Sequence, residues 1–113
     1  MQFRFAMLPD GQYSAWFRIP EREGMGVITL DGGRLTGSDA SISYRGSYIQ
    51  EGDAFTADIQ TSRHADGPPS IFGIDELDIQ VVGTSKARTA SCRGTVKQRP
   101  NIPFEVVLVR ISS

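Results

Sequence analysis

His64 and Cys92 are the only histidine and the only cysteine in the chain, and each could act as a base, nucleophile or metal ligand. His64 lies in "SRHADG", where the nearest carboxylate in sequence is Asp66. Acid/base work would need a cleft and a positioned partner, and this polar stretch predicts a solvent-exposed loop histidine instead. Cys92 falls in the alternating series Ala90, Cys92, Gly94, Val96. That register turns it inward, where a thiol behaves as a small hydrophobe and not as a nucleophile. One histidine and one cysteine cannot supply the four ligands of an ordinary zinc site. "GMGVIT" lacks the third glycine of a dinucleotide loop and has no helix to follow it. No catalytic residue, metal or cofactor is expected.

Charge narrows the choice of partner. The chain carries a formal net charge of −1, which exerts no general pull toward nucleic acid or an anionic membrane. Lys86, Arg88, Arg93, Lys97 and Arg99 form a basic stretch without an intervening acid. Single-strand binding also wants aromatic platforms for base stacking, and this stretch has none. Residues 51–78 hold seven acids (Glu51, Asp53, Asp58, Asp66, Asp75, Glu76, Asp78) against Arg63 alone. Charge segregated in this way can steer a protein partner or be no more than a solvated outer face.

These residues need elements to position them. At 113 residues the chain suits one domain, and 12 glycines and 6 prolines cut it into pieces of strand length. The pattern predicts eight strands: "QYSAWFRI", "MGVITL", "RLTG", "ISYRGSYIQ", "AFTADIQTS", "ELDIQVVG", "RTASCRGTVK" and "PFEVVLVRI". "DGG" and "EGD" read as hairpin turns. A short helical turn fits Ser70 to Ile74, inside the longest irregular stretch. Eight short strands in sequence imply an all-β, antiparallel up-and-down barrel or a related sandwich. Gly46, set between the inward Tyr44 and Tyr48, marks a sharp bend. Residues 1–9 read as an N-terminal extension and residues 10–113 as a single barrel domain.

Two further features concern binding. Tyr13, Phe17, Tyr44, Tyr48 and Phe55 face inward and form either a filled core or a pocket for a small apolar ligand. On the last strand Val107, Val109 and Ile111 face outward, where polar groups would ordinarily stand, and this predicts a homodimer interface. No apolar run approaches the ~20 residues of a membrane span. The N-terminal apolar run, Phe5 to Leu8, is shorter than the ~7–15 residues of an export signal. A lone cysteine suits a reducing compartment, so a cytoplasmic location is expected.

The order and spacing of several short motifs resemble the GrlR-like family, negative regulators of bacterial type III secretion. They are "DGQYSAWF" (Asp10, Gly11, Tyr13, Ser14, Phe17), "GMG" (Gly24, Gly26), "DGGRLTGSD" (Gly32, Leu35, Thr36, Gly37, Asp39) and "YRG" (Tyr44, Gly46). The resemblance spans residues 10–53. It implies a lipocalin-like (calycin-like) eight-stranded barrel, a homodimer, and non-catalytic regulation through a protein partner, a transcriptional activator being one candidate. The family's acidic turn corresponds to Gln50, Glu51, Gly52 and Asp53, so the resemblance assigns partner binding to Glu51 and Asp53. The alternative is an intracellular carrier or sensor of a small apolar ligand.

Overall fold

Phe55, Ala57 and Ile59 alternate with Thr56, Asp58 and Gln60, and the segment that carries them is an extended strand with one face buried. The same logic repeats around the molecule. The computed structural model describes residues 8–111, which form β1 (Gly11–Ile19), β2 (Arg22–Asp31), β3 (Arg34–Ser38), β4 (Ile42–Glu51), β5 (Ala54–Arg63), β6 (Asp78–Lys86), β7 (Thr89–Val96) and β8 (Phe104–Arg110). Each strand pairs antiparallel with the next, and β8 returns to β1 to close an eight-stranded barrel. Closure runs from Tyr13 opposite Arg110 to Arg18 opposite Glu105. The barrel form therefore holds and the sandwich form does not. No helix among the described residues is long and apolar enough to cross a membrane.

Turn chemistry sets the registers. Gly32 and Gly33 take φ of 56° and 91°, the positive pair that a type I′ hairpin requires. The β6–β7 turn reaches φ 59° at Ala87 without a glycine, a conformation that crowds its Cβ. Between β3 and β4 the Asp39 carboxylate makes the corner. Its Oδ1 accepts the backbone N–H groups of Ser41 (3.0 Å) and Ile42 (2.8 Å).

Tyr13, Leu30, Leu35, Ile42, Phe55 and Val96 are the largest fully buried side chains. The two ends of the barrel are closed differently. At one end Leu8 packs into the core. Its backbone N–H donates to Gln50 Oε1 (2.8 Å), and its carbonyl accepts from Gln50 Nε2 (2.9 Å). Leu8 thus closes the barrel, while residues 1–7 of the extension lie outside the described residues. At the other end the 64–77 loop folds over the opening and inserts Phe72 edge-on against Phe104, ring centroids 5.1 Å apart. The expected helical turn at Ser70 to Ile74 is a single hydrogen-bonded turn, Gly73 N–H to Ser70 O at 2.9 Å, because the chain reverses there without continuing.

Gly46 stands where two backbones nearly touch. A Cβ on it would lie 1.9 Å from the carbonyl oxygen of Asp58 on β5, a clash that no rotamer change relieves. Gly46→Val should therefore cost at least about 1–3 kcal/mol, through strain in two strands. Denaturant melts compared with wild type measure it, and an unchanged midpoint would place the bend elsewhere.

Candidate functional site

Three places could carry function: the space beneath the lid loop, the outer face around the β4–β5 turn, and the outer face of β8, β1 and β2. None of them involves the histidine. His64 is exposed at the rim of the lid end. Its backbone N–H donates to Ser41 O, and its ring nitrogen Nε2 lies 3.1 Å from Asp39 O, so it fastens the loop to the β3–β4 corner. Cys92 lies inside the barrel, and burial pushes its thiol up to about 11. The described residues contain no grouping of three or more His, Cys, Asp or Glu able to hold a metal ion.

The lid end holds a cavity of about 80 Å³, open to solvent at one side, with apolar walls that include Ile28, Phe55, Val81, Cys92 and Leu108. Phe17, Asp39, Tyr44, Ser70 and Ile71 also line it and remain partly solvent-exposed, so they mark its mouth. Tyr44 donates its hydroxyl to Asp39 Oδ2 at 2.5 Å. Burial first, then that hydrogen bond and the carboxylate's charge, hold the phenol far above its usual pKa. Arg63 latches the loop with a forked contact to Asp75 (2.9 and 3.0 Å) and donates to the carbonyls of Ala65 and Gly67. Thr61 Oγ1 donates to Asp75 O at 2.6 Å and accepts from the Leu77 N–H, so no buried side-chain polar atom is left unpaired here.

The five inward aromatics divide between the cavity and the Leu8 end. Phe17, Tyr44 and Phe55 line the cavity. Tyr48 stacks on Phe55, while the hydroxyls of Tyr13 and Tyr48 are satisfied by Pro9 O and Asp10 Oδ1 at the Leu8 end.

Glu51 and Asp53 are exposed on the β4–β5 turn, whose backbone is anchored by Asp53 O accepting from the Ser85 N–H at 2.8 Å. Beside the turn stands a pair that sequence reasoning missed. Ile49 and Val82 are each 62% exposed and flank Thr56 in the cross-strand register. A shallow groove runs between them past Ser47, Asp58 and Gln80. Period-2 counting could have found both, since each lies one residue from an inward position, Tyr48 and Val81.

Val107, Val109 and Ile111 face outward as expected, Val109 half-buried and the other two exposed. They are one side of a wider patch. Val107 and Met25 sit opposite Trp16 on its two sides, and Val109 and Val27 sit opposite Ser14. Trp16 is 53% exposed and donates its indole N–H to Ser14 Oγ, which lays the ring along its own strand. Toward the lid end this patch is bounded by a cross-strand row, Arg93, Glu105, Arg18 and Glu23, whose signs alternate. Arg18 pairs with Glu105 at 2.8 Å and lowers that carboxyl's pKa.

Because its thiol is protonated and buried, Cys92 should react with a thiol reagent such as dithiobis(nitrobenzoate) at pH 8 only as fast as the barrel opens. The rate should be at least about 100-fold below that of the urea-unfolded chain. Rapid labelling of the folded protein would mean the interior is open. In comparisons with known proteins, no family model matches the chain and no curated protein matches it.

Proposed function

We propose that this barrel is a non-catalytic regulatory protein of the cytoplasm, acting as a homodimer that holds a protein partner, in the manner of the GrlR-like negative regulators of type III secretion. The observation that carries this reading is the pairing of an acidic turn with two exposed apolar side chains on rigid strands. Glu51 and Asp53 adjoin Ile49 and Val82, an apolar centre with a charged margin. That chemistry fits a partner segment bearing an apolar side chain flanked by lysine or arginine, a transcriptional activator being one candidate. The motifs across residues 10–53 support the family reading, and a single buried thiol suits a reducing compartment.

The second outer face fits another copy of the same chain. Consider a two-fold axis lying in the contact plane, parallel to the strands and passing between β8 and β1. It reverses the charge row, so Arg93 meets Glu23 of the other copy and Glu105 meets Arg18. Rotation about an axis along the row would set like charges together and is disfavoured. The same axis brings each Trp16 against the other copy's Val107.

Two experiments test the reading. A partner captured from the native host should associate about tenfold more slowly with the Glu51→Lys, Asp53→Lys double variant at low salt, and the difference should shrink as salt rises. The fold should be unaffected, since exposed turn charges contribute little. Equal rates at every salt concentration would remove the turn from the interface.

For the dimer, Val109→Asp should sediment as a monomer at concentrations where wild type is dimeric. Arg18→Glu and Glu105→Arg should each weaken self-association, whereas an equimolar mixture of the two should recover it as a heterodimer. A wild type that is monomeric at tens of micromolar would overturn this part.

A further inference from the structure

We infer that the space beneath the 64–77 loop is a binding site for a small, uncharged, phenol-like molecule, a single ring with one N–H or O–H donor. This goes beyond the reading above, because it concerns the interior and no outer surface residue takes part. The cavity walls are side chains such as Ile28, Val81, Phe104 and Leu108, which give water nothing to bond. A buried water needs about two to four polar partners, so apolar space of this kind stays dry and accepts an apolar guest.

Polarity enters at the mouth through Asp39 and Tyr44. The Asp39 carboxylate already accepts from Ser41 N–H, Ile42 N–H and the Tyr44 hydroxyl. A carboxylate offers about four acceptor positions, which leaves room for one more donor on Oδ2. The volume sets the pose. About 80 Å³ is only about half of the ~150 Å³ that holds benzene in an engineered core, so a ring enters part-way and its polar edge stays at the mouth.

The same geometry rejects the commonest apolar cargo. Asp39 is the one charged residue lining the cavity, and no Lys, Arg or His stands among the described lining residues. A carboxylate ligand would bring a second negative charge beside the first without a cation to offset either. Fatty acids and benzoates are therefore excluded, while phenols are admitted.

Entry requires only that the loop lift. It is a 14-residue segment with no helix or strand of its own, held by the Arg63–Asp75 contact, by Ser41 Oγ donating to Pro68 O at 2.5 Å, by the Phe72 ring, and at its ends by the backbone bonds His64 N–H to Ser41 O and Thr61 N–H to Leu77 O.

Titrations of the folded protein with phenol, toluene and benzoate, followed by amide chemical shifts, separate the outcomes. Phenol should bind in the millimolar range or better, with shifts centred on Asp39, Tyr44, Ile71 and Cys92. Toluene, the same shape without the donor, should bind at least about 5-fold more weakly, and benzoate should not bind. Asp39→Asn, which keeps an acceptor for the corner, should lose much of the phenol preference and begin to admit benzoate. Cys92→Leu, which fills the cavity, should abolish binding of all three. If that variant does not fold, phenol should instead protect the wild-type thiol from the labelling reagent. Equal affinity for phenol and toluene, benzoate binding as tight as phenol, shifts confined to the outer faces, or an unprotected thiol would each overturn the inference.

Discussion

The backbone ladder between β8 and β1 is the constraint from which the rest of this structure follows. A sheet of eight strands that failed to close would expose two edges of unpaired N–H and C=O groups, a template for aggregation. Pairing Tyr13 through Arg18 with Arg110 back to Glu105 removes both edges. Closing so small a ring forces strands to coil tightly, and inward positions then lie against the backbone of the next strand. That is why Gly37, Gly46 and Gly83 carry no side chain: a Cβ at each would come within 2.3 Å of a carbonyl oxygen across the ladder. Gly26 serves a related end, since a Cβ there would press on the Tyr44 ring, the ring that reaches Asp39.

Closure leaves two open ends, and the chain seals them by unlike means. At the Leu8 end the Gln50 amide imitates a backbone pair, donating to and accepting from one residue as a strand neighbour would. This gives a physical reason for an uncharged Gln50 beside the acidic turn: a carboxylate could accept from the Leu8 N–H but could not donate to its carbonyl. At the lid end the seal is a loop held mainly by side-chain contacts and one aromatic ring. Among the described residues only two backbone hydrogen bonds tie it to the rest of the barrel, His64 N–H to Ser41 O and Thr61 N–H to Leu77 O, which makes this end the natural route to the interior.

Having no edge to offer, the barrel can associate only through its outer face or its turns. The outer residues of most strands are polar, and the exceptions gather in two places, around Trp16 and around Ile49 with Val82. Each group adjoins charge: a row of alternating sign in the first case, an acidic turn in the second. Alternating sign suits a surface that meets its own image, and a single sign suits a surface that meets something else. The two faces thus fit the two kinds of contact that the proposed function requires.

Alternation along each segment was enough to set the eight strands, the inward faces and the buried thiol, because period-2 burial is a local property of a half-buried strand. "DGG" likewise specified its own hairpin. Sequence could not tell a closed barrel from a sandwich, since only the β8–β1 pairing separates them and its partners are about 90 residues apart. Nor could it signal the Ala87 turn, where the ladder on either side imposes a positive φ that alanine does not seek. It grouped five inward aromatics together, as one filled core or one pocket, yet the barrel sends Tyr13 and Tyr48 to the Leu8 end and leaves Phe17, Tyr44 and Phe55 around the cavity. It saw Val107, Val109 and Ile111 because they share a strand, and it missed Trp16 and Met25 because they belong to neighbours. Which residues stand side by side across a ladder is decided by register, and register between distant strands is fixed only when the sheet closes.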